Sequence, residues 1–444
     1  MGLTAAQKTV TFSGFSGPGI VVDYGGPSRL IFWENANYIP CWDLGGDVWM
    51  FNEWFETGST ENKHCYEPMM DAENRYSKAD IVVNGPARTI VHWRYALCDN
   101  QYRVFNGNTT ADEYYIMYPD GITIRKLVGW PGDESDFGGN ATYWEVGEWN
   151  ILEGIGNTPD KTIDNPVLKL RNIVGQSAIV DWPSPHPPRS LCETYPDISN
   201  WQEYIGLLRM RNRPTAYAVI PGDQLLFPHA ECSHCGKPHV EFKVFGGNLN
   251  TCNHWPMYKK DDWVGWREAD EQVGKMMTTT GFMSYGYAYN VRRTSGGNPL
   301  VTRGLSVSGN WRNIKPPRPT TWLSINGVMA EEDHNFLTRV ATSWLRPAEV
   351  ETDWVFDGYT YAQRAYVFRP ANKAAKGFHC LVKPASALLN PIIILEGMAQ
   401  PVREIKIDGE KTKGFQYQIE EKKSTVVWID TMITHNSTME INFG

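Results

Sequence analysis

The sequence predicts an all-β protein on three observations: short runs of Val, Ile, Tyr and Trp from end to end, turn residues between them, and a single segment with helical spacing. In chain order the strand runs are Thr9–Ser13, Arg29–Trp33, Ala79–Val83, Thr89–Ala96, Glu113–Tyr118, Ile122–Val128, Thr215–Ile220, Val240–Val244, Thr321–Ile325, Arg364–Phe368, Ile392–Leu395 and Thr425–Ile429. Tyr118-Pro119-Asp120-Gly121-Ile122 reads as a hairpin turn, because proline presets φ and glycine accepts the positive φ that follows. Ser199–Leu208 places Trp201, Tyr204, Ile205 and Leu208 on one helical face, with Asp197 or Ser199 as cap, and predicts the one helix.

No linker or charge block divides the 444 residues. A length of this order fits two or three average domains or one large all-β unit. Turn-bounded strands at this density suit repeated four-stranded blades better than one sandwich, which would end sooner. The expectation is a single domain over residues 1–444, a seven-bladed β-propeller of four-stranded antiparallel blades with about 63 residues each. Long loops near Pro131–Asn140, Asp181–Asn200 and Tyr258–Lys275 supply the extra length. Both ends look like strands, Thr9–Ser13 and Thr438–Phe443, so the N-terminal strand is expected to close the last blade.

Composition narrows the function. The chain is 41% hydrophobic and 21% charged, with no apolar run long enough to span a bilayer, which excludes a helical membrane protein. A net charge of −8 argues against non-specific nucleic-acid binding, so a polyanionic ligand needs a local basic patch. The 18 Trp and 21 Tyr are in excess; such rings pack on the apolar faces of sugars and equally fill the space between sheets. Met1–Lys8 lacks an apolar signal core. Either the protein is cytoplasmic or a signal has been removed; the latter, a secreted or periplasmic monomer, is the expectation.

The eight cysteines are unevenly spaced, which disfavours a disulfide scaffold. His229-x2-Cys232-x2-Cys235-x3-His239, followed by Cys252 and His254, has the spacing of a closed structural zinc site. Cys232, Cys235, Cys252 and His254 are the expected ligands, with His229 or His239 as substitutes. Calcium is the weaker alternative, since the acidic residues form no recognised loop, and no organic cofactor is expected.

Two runs carry charge that could act on a substrate. In Thr89–Tyr95, alternation puts Val91, Trp93 and Tyr95 on one face and His92 with Arg94 on the other. From spacing alone His92 reads first as a histidine satisfied by a backbone carbonyl between blades. In Leu207–Pro214, an extended chain would point Arg209, Arg211 and Arg213 the same way, suited to a carboxylate or sulfate, or simply to surface ion pairs.

Several stretches resemble the propeller-fold ulvan lyases and related rhamnose–glucuronate lyases and rhamnosidases. They are Phe32–Trp42, Glu67–Asp71 with Arg75–Ser77, Ala87–Tyr95, Asn253–Pro256, Ser343–Pro347 and Gly358–Tyr366, covering about residues 30 to 370 in the expected order. The resemblance implies a propeller acting on an acidic, uronate-containing polysaccharide or oligosaccharide. It assigns a functional histidine to His92, a partner histidine to His64, and the catalytic tyrosine to Tyr143. Arg94, Arg209, Arg211 and Arg213 are then substrate-binding, with Arg211 and Arg213 as carboxylate clamps. The family's arginine has no counterpart near Asn157–Asp160, and its first histidine aligns nearer Ala72 or Lys78.

Eliminative cleavage of a uronate needs a cation on the carboxylate, a base for the adjacent proton and an acid for the leaving oxygen. A rhamnosidase-type hydrolase on the same scaffold is the first alternative, and a glycan-binding propeller without catalysis the second. The lyase reading depends on the arginines gathering near His92.

Overall fold

The computed structural model describes residues 2–26, 28–59, 65–71, 73–99, 101–130, 141–180, 201–221, 226–227, 242–244, 277–285, 288–289, 320–372 and 377–444. The protein is all-β, and among the described residues none of its sheets closes on itself. Its strands do not sort into seven four-stranded blades: among the described residues they form two nine-stranded sheets, two of five strands, one of four and one of two.

The first large sheet runs Thr4–Phe12, Phe15–Asp23, Arg29–Trp33, Pro40–Asp43, Val48–Asn52, Gly147–Glu153, Thr278–Tyr285 and Leu226–Phe227, with Phe242–Val244 added beside Thr278–Tyr285. The second runs Ser177–Val180, Ile163–Arg171, Glu203–Met210, Thr215–Pro221, Thr320–Met329, Thr123–Trp130, Thr110–Met117, Thr89–Ala96 and Lys78–Asn84. Their inner faces share one aromatic-rich core, in which Phe32 packs edge-on to Tyr115 and Phe55 on Trp322. Gly206 is needed where the sheets approach, because a Cβ there would lie 2.7 Å from the Trp149 ring.

Helix His334–Leu345 follows the second sheet, capped by Asp333, whose side chain accepts from the Phe336 amide. It buries Leu337, Val340, Ala341 and Trp344 against Ile205, Leu207, Tyr217 and Val219 of that sheet. The chain then builds the two five-stranded sheets, packed around a separate core of Phe368, Phe378, Ile405, Val427 and Ile441. The first strand pairs with the second at a sheet edge, while the last, Ser437–Phe443, lies between Gly377–Lys383 and Val402–Ile407. The first and last strands therefore do not close a common sheet.

The expected helix at Ser199–Leu208 is a correction too: Glu203–Met210 is a strand. Both of its faces are covered, so its apolar residues run on without the alternation of a half-buried strand and mimic helical spacing. The Tyr118–Ile122 turn forms as expected, with Gly121 at φ 78° and Thr110–Met117 antiparallel to Thr123–Trp130. Among the described residues no helix is long and apolar enough to cross a membrane.

Candidate functional site

The site is a consequence of strand register. His92 sits opposite Tyr114, and Arg94 opposite Asp112, on neighbouring strands, while Lys126 lies opposite Tyr114 and Val128 opposite Asp112 one strand further. Residues directly opposite one another share a face, so His92, Arg94, Asp112, Tyr114 and Lys126 project together from the outer face of the second sheet. Val91, Trp93 and Tyr95 alternate into the core, as the sequence predicted.

Asp112 is the hub. It is 5% exposed. His92 Nε2 lies 2.7 Å from its Oδ1. Arg94 Nη1 donates to Oδ2 at 2.8 Å and to Oδ1 at 3.0 Å, and Trp130 Nε1 donates to Oδ2 at 2.6 Å. Burial by itself would raise the Asp112 carboxyl; the His92 contact and the Arg94 charge outweigh it and hold the group below its ordinary range.

The imidazole is clamped sideways as well. Tyr114 stacks on it with centroids 4.5 Å apart and planes 10° apart, and Lys126 Nζ stands 5.5 Å from the Tyr114 centroid on its own strand. Burial, then the Asp112 charge, pushes the Tyr114 phenol above its ordinary value, so it stays protonated. Trp130, 40% exposed, leaves ring surface open to solvent, and the Arg94 side chain is 52% exposed. One face thus offers an imidazole, a phenol, two cations and a flat ring.

The other predicted arginines do not join this group. Four strands separate Glu203–Met210 from Thr89–Ala96, which puts Arg209 about 24 Å from His92 at ~4.8 Å per strand. Arg209 instead binds Asp164 at 2.8 Å and Glu332 at 3.3 Å. Alternation ends at Met210, because Asn212 takes φ 54° in a tight turn, so Arg211 and Arg213 do not continue the Arg209 face. Arg211 is exposed, and Arg213 donates to the Gly45 carbonyl. The expected arginine clamp is therefore not part of the His92 site.

Tyr143 lies on the strand Ala141–Glu145, opposite Tyr289. Three residues on, the Val146 carbonyl accepts from Arg125, which is buried on the inner side of the second sheet with Glu113. The strand of Tyr143 belongs to a different sheet from that of His92. His64, Cys232, Cys235, Cys252 and His254 lie outside the described residues.

Sequence reading missed Asp112, Tyr114, Lys126 and Trp130. The Tyr118–Ile122 turn fixes the register that sets Tyr114 against Lys126, so this part of the signal was present. It also missed a second acidic group: carboxylate oxygens of Glu53, Glu145 and Glu148, all buried, lie within 4.8 Å of one another. Nearby, Trp54 Nε1 donates to both Glu56 and Glu67 at 3.1 Å.

No family model matches the sequence, and no curated protein matches it. Among solved structures, the chain is similar to a galactose mutarotase-like protein from Clostridium acetobutylicum, with 8% identity over 75% of this chain and 99% of that one, at a TM-score of 0.32.

Proposed function

We propose that the protein cleaves a uronate-containing glycan by β-elimination, with the outer face around His92 as its active site. The observation that carries this reading is the 2.7 Å contact of His92 Nε2 with a buried carboxylate that also binds exposed Arg94. An oriented imidazole next to a solvent-facing cation provides two of the three groups that elimination needs.

Arg209, Arg211 and Arg213 do not gather at His92, so the reading rests instead on Arg94 and Lys126 to neutralise the substrate carboxylate, while His92 removes the proton from the carbon next to it. The electron pair forms the new C=C bond as the C–O bond to the leaving sugar breaks. Tyr114, held protonated, gives its proton to the departing oxygen, and Trp130 provides a platform for a neighbouring sugar ring. Tyr114 takes the part first assigned to Tyr143. The seven-bladed scaffold is not needed for this chemistry, and a structural zinc at Cys232, Cys235, Cys252 and His254 remains part of the proposal as a loop clamp.

A second reading has its own observation. The clustered carboxylates of Glu53, Glu145 and Glu148 are the residue type that glycoside hydrolysis uses. Incubation with ulvan and other uronate glycans separates the two. Elimination yields an unsaturated uronate that absorbs in the ultraviolet, and new reducing ends without that absorbance indicate hydrolysis. Neither signal across the panel rejects both reactions.

A further inference from the structure

We infer that Asp112 is the positioning residue of the His92 site: its Oδ1 accepts a hydrogen bond from the protonated Nε2 of the imidazole and so makes Nδ1 the atom that accepts a proton from substrate. This rests on the reading of His92 as the base.

The argument is one of donors and acceptors. An indole N–H and a guanidinium can only donate, and both Trp130 Nε1, at 2.6 Å, and Arg94 Nη1, at 2.8 Å, point at Oδ2 of Asp112. Two charge-seeking donors on one oxygen of a buried side chain keep that carboxyl ionised. An ionised carboxylate has no proton to give, so the atom 2.7 Å from Oδ1 must be a donor. In the neutral ring that assigns the proton to Nε2 and the lone pair to Nδ1. Stacking on Tyr114 at 4.5 Å and 10° resists a ring flip that would exchange the two nitrogens.

The remaining charged groups around the imidazole do not compete for Nε2. Asp80 stands opposite His92 on the edge strand but is paired with Lys78 at 2.6 Å. Arg94 is a donor that turns its Nη1 to Asp112, and Lys126 stands beyond the Tyr114 ring. Among the described residues no other group bonds to His92 Nε2.

The test is nitrogen NMR of protein carrying ¹⁵N-labelled histidine, combined with Asp112→Asn. In that variant the amide oxygen stays with Trp130 and Arg94 and the amide nitrogen turns to His92, so Nε2 must accept and the proton moves to Nδ1. The wild type is expected to show a protonated Nε2 and a bare Nδ1 in the neutral ring, and Asp112→Asn to exchange the two signals. On a uronate glycan the variant should lose about 10²- to 10⁴-fold in kcat with KM little changed. A protonated Nδ1 in the wild type overturns the inference, and this measurement requires no folded variant. Unexchanged signals in a folded Asp112→Asn protein overturn it as well. Exchanged signals together with a wild type that makes no unsaturated product uphold the contact and remove the elimination reading alone.

Discussion

Arg364 reaches Asp120 through Nη2 at 2.6 Å, with the two side chains 3% and 5% exposed, at the seam between the second nine-stranded sheet and the C-terminal pair of sheets. Asp120 is in the Tyr118–Ile122 hairpin turn and also accepts from Asn390 at 3.1 Å. Alongside it, Arg88 binds Glu420 through two nitrogens at 2.7 and 2.6 Å, and Gln418 accepts from the Ala87 and Arg88 amides. The turn that organises the site strands thus also docks the C-terminal sheets. Asp120→Ala would leave a guanidinium buried beside Tyr118 without its counter-charge, a change that costs about 3–5 kcal/mol. Urea denaturation should register that loss, and Asp120→Asn combined with Arg364→Met should recover much of it. A loss below about 1 kcal/mol in Asp120→Ala would mean that water reaches the pair.

The second ion cluster predicts an acid-side slope. Glu332 binds Lys169 at 2.8 Å and His334 at 2.5 Å, and Arg209 at 3.3 Å brings in Asp164. Burial opposes ionisation of Glu332, but the hydrogen bond and charge of Lys169, then His334, prevail and depress the carboxyl below 4.5. A group depressed by folding adds stability above its unfolded value and loses it as the pH falls through the folded one. Stability measured in urea should therefore decline below about pH 4.5, and Glu332→Gln should make that decline shallower. At neutral pH the same substitution should cost no more than about 1 kcal/mol, since the cluster is partly solvated. An unaltered acid slope would show that other carboxylates set it.

Strand positions were legible because their signal is local. Arg29–Trp33 and Thr89–Ala96 form with the predicted bounds, since β-branched and aromatic runs between turn residues need no distant information. Pairing was not legible: Val48–Asn52 finds its neighbour in Gly147–Glu153, about a hundred residues away, and nothing local specifies that. Four-stranded blades depend on this step, and the described strands pair into larger sheets instead. Helix His334–Leu345 was overlooked although Asp333 and the spacing of Leu337, Val340, Ala341 and Trp344 announce it. In the site, alternation revealed that His92 and Arg94 share a face. Asp112 was hidden, because the connection from Ala96 to Thr110 does not reveal the register that sets it against Arg94.

The proposed zinc clamp at Cys232, Cys235, Cys252 and His254 would link metal content to stability. Thiolate ligation gives part of its binding energy to the fold, so Cys232→Ser should lower bound zinc and Tm together, and a strong chelator should do the same to the wild type. Zinc by elemental analysis and Tm by calorimetry provide the two readouts. An unchanged melting curve with zinc removed would count against a structural ion.

The kinetic prediction concerns the outer face directly. His92→Ala should reduce turnover on a cleaved uronate glycan by about 10²- to 10⁴-fold, because the substrate proton loses its acceptor while the strand keeps its pairing. Tyr114→Phe removes only a hydroxyl and keeps the ring that stacks on the imidazole, so its effect should fall on kcat and leave KM nearly unaltered. Trp130→Ala removes a partly exposed ring and one of the two donors on Asp112 Oδ2, and should raise KM more than it lowers kcat. Arg211→Ala, about five strand spacings away, should leave both constants near wild type. That last variant is the sharpest control. A large loss in Arg211→Ala with normal rates in His92→Ala would move the active site off this face altogether, to the end of the sheet where the arginine turn lies.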